Sequence, residues 1–328
     1  GGMQLYRAET PGPMKDSKLT PRITETARAL WLVYAMVTSL CILAYWLAGM
    51  SPFDAVCHAF ATLSTGGFAN YDASLGYYNS ALIESIAILF MVVGASNFSL
   101  HFMALHRGTA RIYLNDSEFL VYVSFLGLLA LLVSLSLYFH GRYDSLLESL
   151  RFGSFQLVSF ATSTGFVTAD YTLWPGALPI ILIMSSAFCS SAGSTGGGMK
   201  VIRIVLLAKY GYREILRIVH PSAEIPVKIG GRAVSPQVLA AVSGFFAVYV
   251  ILFLLLWFVL MALGMEPLTA LSAVSLSINN MGPGLGEVAA NFTTVGPVAK
   301  WVCIFAMLVG RLELFTLLAV LTPAFWRR

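Results

Sequence analysis

The chain has 328 residues, of which 58% are hydrophobic and only 11% are charged. Soluble domains carry about 25% charged residues, so a chain this poor in charge cannot cover a water-facing surface, and lipid is its expected solvent. The net charge of +4 does not indicate nucleic acid as a partner. The cysteines lie in apolar stretches without metal-ligand spacing, which predicts buried free thiols rather than disulfides or a zinc site. They are Cys41, Cys57, Cys189 and Cys303.

Six apolar runs are long enough to cross the hydrocarbon core of a membrane, which takes about 20 helical residues. In chain order they are Ala29–Gly49, Ser80–Leu105, Phe119–Phe139, Ala177–Ala208, Val238–Gly264 and Val298–Phe325. The fourth run is interrupted near its middle by a stretch rich in serine and glycine. We therefore predict an all-α integral membrane protein.

Between the two spans of each successive pair lies a shorter stretch that begins near an acidic residue and ends in a glycine-containing loop. These stretches are Ser51–Phe68, Asp144–Phe166 and Glu266–Gly286. An acidic residue suits the positive end of a helix dipole. A helix of about three turns is too short to span, so each stretch predicts a re-entrant helix that returns as extended chain. The unit of span, pore helix, filter loop and span thus occurs three times, as in a potassium channel, with Gly66, Gly165 and Gly282 aligned.

The basic residues are concentrated in the segments that would share one side of the membrane. Of the 20 Lys and Arg residues, 16 lie in Arg7–Arg28, His106–Glu118, Lys200–Arg232 and Arg327–Arg328. The positive-inside rule places these linkers and the C-terminus in the cytoplasm and the pore loops at the outer face. Docking of a cytoplasmic partner is an alternative reason for the same basic runs.

The glycine-containing loops are the first candidates for chemistry. Backbone carbonyls in such a loop can replace the hydration shell of an ion, and the absence of Lys and Arg from all three loops favours a cation over an anion. Composition alone does not separate potassium from sodium. The residues expected to bind the ion are Thr65, Gly66, Thr164, Gly165, Met281 and Gly282. Hydroxyl and amide side chains are expected to brace the loops, namely those of Thr62, Thr162, Asn279 and Asn280.

The interruption Ser190–Lys200 is a candidate gate. Three consecutive glycines, Gly196–Gly198, would break a membrane helix or make it mobile. A flexible plug here would lie just below the filter on the cytoplasmic side, although a packing kink beside a crossing helix would show the same pattern. It is not a phosphate-binding loop, because Met199 stands where that motif needs lysine. The predicted gate residues in this stretch are Ser190, Ser191, Gly193, Ser194, Thr195, Gly196, Gly197 and Gly198.

Arg311 is a further candidate gate residue, because a charge inside a span is costly and usually faces a cavity or a partner. Its guanidinium could act as an electrostatic barrier in a pore. A structural ion pair or snorkelling to the membrane edge is the alternative.

Together, the motifs STGGF, STGF, SSAGSTGGGMK, SINNMGPG and GRLELFT resemble the Trk/Ktr/HKT superfamily of potassium transporters, in particular its bacterial Trk branch. The resemblance covers nearly the whole chain. It implies potassium uptake through a gated filter, with filter glycines at Gly66, Gly165 and Gly282, a gating loop at Ser190–Gly198 and Arg311 opposite that loop. It also implies a homodimer in the bacterial cytoplasmic (inner) membrane. It further implies that no cofactor is bound covalently, that K⁺ is the transported ion, and that a cytoplasmic nucleotide-binding subunit senses NAD or ATP.

The family has four such units, and the first is missing from this sequence. Three sides of a four-sided filter cannot surround an ion, which predicts that the sequence belongs to a longer protein. The predicted segments are a cytoplasmic linker at 1–28, the second unit at 29–108, the third unit with a broken inner helix at 109–208, a second cytoplasmic linker at 209–236, and the fourth unit at 237–328.

Two other functions are compatible with parts of the sequence. Broken helices also occur in symporters that couple transport to sodium or protons. The stretch Gly94-Ala95-Ser96 superficially suggests an intramembrane serine enzyme, but Asn97 replaces the glycine that should follow, and no histidine is placed to activate the serine. We therefore predict that the chain is not an enzyme.

Overall fold

The structure is a computed structural model that describes residues 23–188, 190–312, 314–315, 320 and 322–326. In these residues the chain is mostly helical. The helices are α1 (Ile23–Leu47), α2 (Pro52–Leu63), α3 (Ala81–Gly94), α4 (Phe98–Arg107), α5 (Arg111–Asn115), α6 (Ser117–Phe139), α7 (Leu146–Ala161), α8 (Leu178–Ser185), α9 (Val201–Val219), α10 (Pro236–Ala262), α11 (Pro267–Ile278), α12 (Pro297–Arg311) and α13 (Pro323–Trp326). Short 3₁₀ turns occupy Ser74–Tyr78, Tyr171–Leu173 and Gly286–Val288. Strands β1 (Lys228–Ile229) and β2 (Arg232–Ala233) form an antiparallel hairpin in which Lys228 faces Ala233 and Ile229 faces Arg232.

Three of the six predicted spans are continuous helices. Within the described residues, α1, α6 and α10 are each long and apolar enough to cross a membrane. The second predicted span, Ser80–Leu105, is wrong as a single helix, because α3 and α4 meet at an angle of 95°. Helix α3 ends at Gly94, and the side chain of Asn97 begins α4 by accepting a hydrogen bond from the backbone N–H of Ser99 at 2.9 Å.

The two remaining spans are only partly helical. In the fourth, Ala177–Ala208, α8 has eight residues, and α9 begins at Val201 after the predicted interruption. In the sixth, Val298–Phe325, α12 begins at Pro297 and ends at Arg311. Much of the sequence after Arg311, together with the predicted linker residues 1–22, lies outside the described residues.

Three of the four cysteines lie in the part of the chain that the structure describes, and all three are free thiols. Cys41 and Cys303 are buried, as predicted, whereas Cys57 is only half-buried. The fourth, Cys189, is outside that part of the chain. Within it, no group of His, Cys, Asp and Glu could hold a metal ion.

The re-entrant helices α2, α7 and α11 have 12, 16 and 12 residues. At 1.5 Å per residue none can cross a hydrocarbon core of about 30 Å. Each begins at a side chain that accepts a hydrogen bond from a backbone N–H of the first turn, namely Ser51, Ser145 and Glu266. Helix α2 packs against α1, α7 against α6, and α11 against α10 and α12.

The outer faces of the spans carry large apolar side chains that no described residue covers. Trp31 on α1 is 67% exposed, Ile251 on α10 is 66% exposed, and Phe258 is also exposed. Apolar surface of this extent is costly in water. Lipid is therefore the solvent that suits these faces.

An ion pair joins two of the repeated units. The carboxylate of Glu84 on α3 is 2% exposed and accepts two hydrogen bonds from Arg151 on α7, from Nε at 2.8 Å and from Nη2 at 2.7 Å. The same Nη2 also donates to the side-chain oxygen of Asn79 at 3.0 Å. Bidentate geometry of this kind fixes distance and orientation together. The pair therefore fixes the position of the re-entrant helix α7 relative to α3 of the neighbouring unit.

Replacement of Glu84 by alanine should destabilise the protein by about 2 to 3 kcal/mol, because it leaves the Arg151 guanidinium with only a neutral partner in a largely buried place. Thermal unfolding in detergent would measure the loss. The charge-reversed double variant Glu84→Arg/Arg151→Glu should recover part of it. Equal unfolding temperatures for wild type and Glu84→Ala would show that the pair contributes nothing to stability.

Candidate functional site

The three glycine-containing loops have the same backbone conformation. Each loop begins after the last turn of a re-entrant helix. Its first part contains a non-glycine residue with left-handed backbone angles, and the residue two positions later is a glycine that also has left-handed angles. The first positions are Thr65, Ser163 and Asn280, with φ of 52°, 59° and 54°. The second positions are Gly67, Gly165 and Gly282, with φ of 66°, 86° and 98°. The repeated unit therefore extends to the backbone of each loop.

This equivalence corrects the sequence alignment of the first loop by one residue. Gly67, rather than Gly66, corresponds to Gly165 and Gly282. The hydrogen bonds agree, because the N–H groups of Gly66, Thr164 and Met281 each bond to a carbonyl five residues earlier, at 2.8, 2.9 and 2.9 Å. The predicted ion-binding pair of the first loop, Thr65 and Gly66, is thus out of register, and its equivalent is Gly66 and Gly67.

The loops pack side by side around a common centre. A Cβ atom added to Gly67 would overlap the carbonyl oxygen of Thr164, and one added to Gly165 would overlap that of Met281. Each of these glycines therefore lets its loop approach the carbonyl of the next loop along the chain. At Gly282 no described residue lies within 4 Å of an added Cβ. The three loops thus form three consecutive sides of a ring, with the flank of Gly282 open.

The residues that follow the loop glycines line a cavity of about 870 Å³. Its wall includes Gly67, Gly165 and Gly282 together with the carboxylate residues Asp72 and Asp170. Among the described residues that line it, none is Lys, Arg or His. A concave surface with carboxylates and no basic residues attracts cations.

A third carboxylate, that of Asp54, fixes the chain beside this cavity. Asp54, in the first turn of α2, accepts hydrogen bonds from Asn70 Nδ2 at 2.7 Å, Tyr71 Oη at 3.1 Å and Ser51 Oγ at 2.9 Å. The rings of Tyr71 and Tyr77 stack with centroids 3.6 Å apart. These contacts hold the wall of the cavity to the start of the first re-entrant helix.

The four predicted bracing residues all make hydrogen bonds. Thr62 Oγ1 bonds to the His58 carbonyl at 2.6 Å and lies 2.9 Å from Tyr45 Oη. Thr162 Oγ1 bonds to the Val158 carbonyl at 2.8 Å and lies 2.8 Å from Thr164 Oγ1.

In the third loop, Asn279 is fully buried and joins three elements. Its Oδ1 accepts from Tyr249 Oη at 2.9 Å, and its Nδ2 donates to Ser186 Oγ at 3.0 Å. Asn280 Nδ2 donates to the Met307 carbonyl at 3.3 Å. The loop is thereby tied to α10, to the end of α8 and to α12.

Sequence reasoning missed several side chains that hold the loops in place. Tyr45 and Tyr249 lie on the first spans of their units, and each directs its hydroxyl to the end of a re-entrant helix. Ser159 Oγ donates to the Phe166 carbonyl at 2.7 Å, and Ser272 Oγ accepts from the Leu285 N–H at 2.9 Å. A tyrosine inside an apolar span, whose buried hydroxyl needs a hydrogen-bond partner, is the signal that could have identified the first pair.

The interruption between α8 and α9 lies against the opposite end of the ring from the cavity. Thr195 Oγ1 donates to the Leu63 carbonyl at 2.9 Å. A Cβ on Gly196 would lie 3.0 Å from the Thr162 carbonyl oxygen, and one on Gly197 would overlap the Asn279 carbonyl oxygen. The stretch therefore contacts the last turns of all three re-entrant helices.

The remaining predicted gate residues close the stretch on itself. Ser190 Oγ donates to the Gly197 carbonyl at 2.5 Å, and Ser194 Oγ donates to the Ser191 carbonyl at 2.6 Å. Arg311 Nη1, at the end of α12, donates to the Thr195 carbonyl at 3.2 Å. The predicted gate residues Gly193 and Gly198 have φ of 72° and 76°, which suits glycine.

A membrane protein with repeated re-entrant helices, a ring of converging loops and a cavity that attracts cations belongs to the class of pore-loop cation transporters. The chain is a member of the TrkH family, whose model is described as a cation transport protein and matches residues 1–139 and 145–326. The predicted membership of the Trk/Ktr/HKT superfamily, the all-α membrane fold and the prediction that the chain is not an enzyme are thereby confirmed.

Named relatives support the same assignment. The chain is 48% identical over 327 residues to the Trk system potassium uptake protein TrkH of Escherichia coli K12, and covers 68% of that protein. It is 50% identical to TrkH of Halomonas elongata, with the same coverage, and 37% identical to TrkG of E. coli K12, of which it covers 67%. The crystal structure of the potassium transporter TrkH from Vibrio parahaemolyticus has a TM-score of 0.91 and 47% identity, covering 99% of this chain and 70% of that one.

Alanine substitutions can test the corrected register. Gly67→Ala should reduce cation flux about tenfold or more, because the new Cβ overlaps the Thr164 carbonyl and φ is 66°. Gly66→Ala should keep most of the flux, because its Cβ meets mainly the Ser64 and Phe68 side chains, at 3.1 and 3.2 Å.

Uptake of ⁸⁶Rb⁺ by cells expressing each variant would measure the flux. Gly127→Ala is the matched control, since an added Cβ there has nothing within 4 Å. The register would be contradicted if Gly66→Ala were the more damaging of the two substitutions.

Proposed function

We propose that the chain forms three sides of a potassium-selective pore that takes up K⁺ across a membrane. The single observation that carries the proposal is the partial ring of three loops with one backbone conformation, in which the first and second loops each pack against a carbonyl of the next loop. Carbonyl oxygens in such a ring replace the water that an ion loses on entering the filter. The names of the relatives, Trk system potassium uptake proteins, support potassium as the ion.

The ion-binding groups in this proposal are the backbone carbonyls of the loops, with the first loop in its corrected register. They belong to Gly66, Gly67, Thr164, Gly165, Met281 and Gly282. The negative ends of the three re-entrant helix dipoles point toward the same place, which favours a cation there. A complete ring requires one further loop of the same kind beside the open flank of Gly282.

The cavity lined by Asp72 and Asp170 would be the outer vestibule, which concentrates cations before they lose water. The orientation that follows has the pore loops facing outward and the basic linkers in the cytoplasm of a bacterial cell, in agreement with the positive-inside rule. Membrane localisation follows from the family, and the inner membrane is the proposed location.

The interruption at 190–200 would be the gate. It contacts the inner ends of all three re-entrant helices, and the Thr195 hydroxyl bonds to the Leu63 carbonyl. Arg311 holds Thr195 and adds a positive charge on the same side, which opposes a cation in the pore. The alternative of a simple packing kink does not require an arginine to bond to the loop.

The symporter alternative has less support. Transporters of that kind often have inverted repeats. The three re-entrant helices here all direct their C-terminal ends toward the stretch at 190–200, and so share one orientation. The stretch Gly94-Ala95-Ser96, which suggested an enzyme, forms the bend between α3 and α4.

Regulation would come from outside the membrane. We propose a homodimer that binds a cytoplasmic nucleotide-binding subunit sensing NAD or ATP. The cytoplasmic half of α9 offers a suitable surface, with Lys209, Arg213 and Arg217 beside the exposed side chains of Tyr212 and Ile215. This helix leads directly from the proposed gate, so a partner bound there could act on the gate.

Expression of the complete reading frame that contains this sequence should rescue growth of bacteria that lack potassium uptake systems at low external potassium. ⁸⁶Rb⁺ uptake should rise in the same cells, and excess K⁺ should inhibit it more strongly than excess Na⁺. Verified membrane expression without rescue would contradict the proposed function.

Replacement of Arg311 by alanine should raise basal K⁺ flux severalfold, because it removes both the hydrogen bond to Thr195 and the positive charge below the filter. Arg311→Lys keeps the charge and should raise the flux less. Flux through purified protein in liposomes, without any partner, would measure both. A loss of flux in Arg311→Ala, with normal membrane expression, would instead indicate a purely structural role.

A further inference from the structure

The bend between α3 and α4 is occupied by the first part of the proposed gate. A helix end leaves carbonyls without partners, and a helix start leaves N–H groups without partners. At this bend the last carbonyls of α3 and the first N–H groups of α4 face one gap between the two helices. Residues 191–195 fill the gap, so the broken helix of the second unit and the broken helix of the third unit complete each other.

Three backbone hydrogen bonds join the two breaks. The Ser191 N–H donates to the Ala95 carbonyl at 2.9 Å, and the Thr195 N–H donates to the Gly94 carbonyl at 3.2 Å. In the opposite direction, the Phe98 N–H at the start of α4 donates to the Gly193 carbonyl at 3.2 Å. The pairing uses the last carbonyls of α3 and an N–H from the first turn of α4.

Two side chains add to this attachment. Glu118, in the first turn of α6, accepts a hydrogen bond from the Ala192 N–H at 2.7 Å. The Asn97 side chain, which begins α4, lies against Gly193, where an added Cβ would be 3.1 Å from its Oδ1. Residues 191–193 are therefore attached to two separate helical elements.

The later part of the same stretch is attached differently. Thr195 bonds through its hydroxyl to the carbonyls of Leu63 and Gly94, both at 2.9 Å, and through its own carbonyl to Arg311. The glycines that follow contact the re-entrant helix ends by close packing. This part can leave the ring once Thr195 releases Leu63, Gly94 and Arg311 and the Gly197 carbonyl releases Ser190, and none of these bonds caps α4. Residues 191–193 cannot move without uncapping α4 and releasing Glu118.

We propose that the bend at residues 94–97, together with Glu118, is the anchor of the gate. Residues 191–193 stay bound to the anchor during conduction, and opening releases Thr195 and the glycines after it. Glu118 and Asn97 are then positioning residues that act through the loop rather than on the ion. The inference rests on the proposed function, because it assigns a fixed and a moving half to the same gate.

The anchor can be tested by removing the hydrogen bond from Glu118. Glu118→Ala should raise basal K⁺ flux in liposomes about fivefold and leave the K⁺/Na⁺ permeability ratio unchanged, because the loop is loosened and the filter is untouched. Glu118→Gln keeps an acceptor oxygen and should behave like wild type. Asp116→Asn is the matched control, since it neutralises a neighbouring carboxylate that caps α6 and does not contact the loop.

A disulfide between the two breaks distinguishes the fixed half from the moving half. In a background without the native cysteines, Ala95→Cys/Ser191→Cys joins residues whose backbones are hydrogen-bonded. The oxidised protein should still conduct when activated, and the same disulfide should return the basal flux of Glu118→Ala toward the wild-type value. Reduction should restore the high basal flux.

Each other outcome has a distinct meaning. Unchanged basal flux in Glu118→Ala, or an altered permeability ratio, would overturn the anchor. Conduction abolished by the disulfide would show that residues 191–193 must move, which also overturns it. Absence of K⁺ flux in the wild-type protein would instead count against the proposed function. Rescue by the disulfide excludes misfolding as the cause of the Glu118→Ala effect.

Discussion

The constraint on which this structure depends is that lipid offers no hydrogen bonds to a polypeptide backbone. A straight span satisfies its own N–H and C=O groups, but this chain stops its helices within the membrane at several places. The re-entrant helices end at Leu63, Ala161 and Ile278, and breaks follow Gly94 and Ser185. Each interruption must find its partners in the protein, and several of these partners lie at another interruption, as between residues 94–98 and 191–195. The irregular segments therefore gather at one place in the fold.

That gathering explains why the candidate functional residues lie so close together. The loops of the ring, the stretch at 190–200 and the bend at 94–97 are far apart in sequence, yet they share backbone hydrogen bonds and close contacts. If any one of these segments were straightened alone, the backbone groups of its partner segments would lose their hydrogen bonds, which is costly in a buried place. The ring of loops, the stretch at 190–200 and the bend therefore form one polar core within an apolar shell.

The sequence was sufficient for the repeat and for the approximate position of each loop, because hydrophobicity and helix-start residues recur in each unit. It could not place the first loop in register. Gly66 and Gly67 are chemically identical in the sequence, and only the backbone angle distinguishes them. The sequence also did not predict the bend after Gly94. Hydropathy measures the transfer of side chains into lipid and contains no information on whether a helix is continuous. The Glu84–Arg151 pair joins residues of two units, a relation that no local pattern contains.

The residues that contribute carbonyls to the ring differ from side to side. Corresponding positions hold Gly66, Thr164 and Met281, although their backbones follow one path. In a pore made of identical subunits, every substitution is repeated around the axis, and the ion meets all its copies at once. In a ring made from one polypeptide, a mutation changes a single side. In the proposed filter, ion preference can therefore change in small steps, because a substitution on one side leaves the carbonyls of the other sides in place.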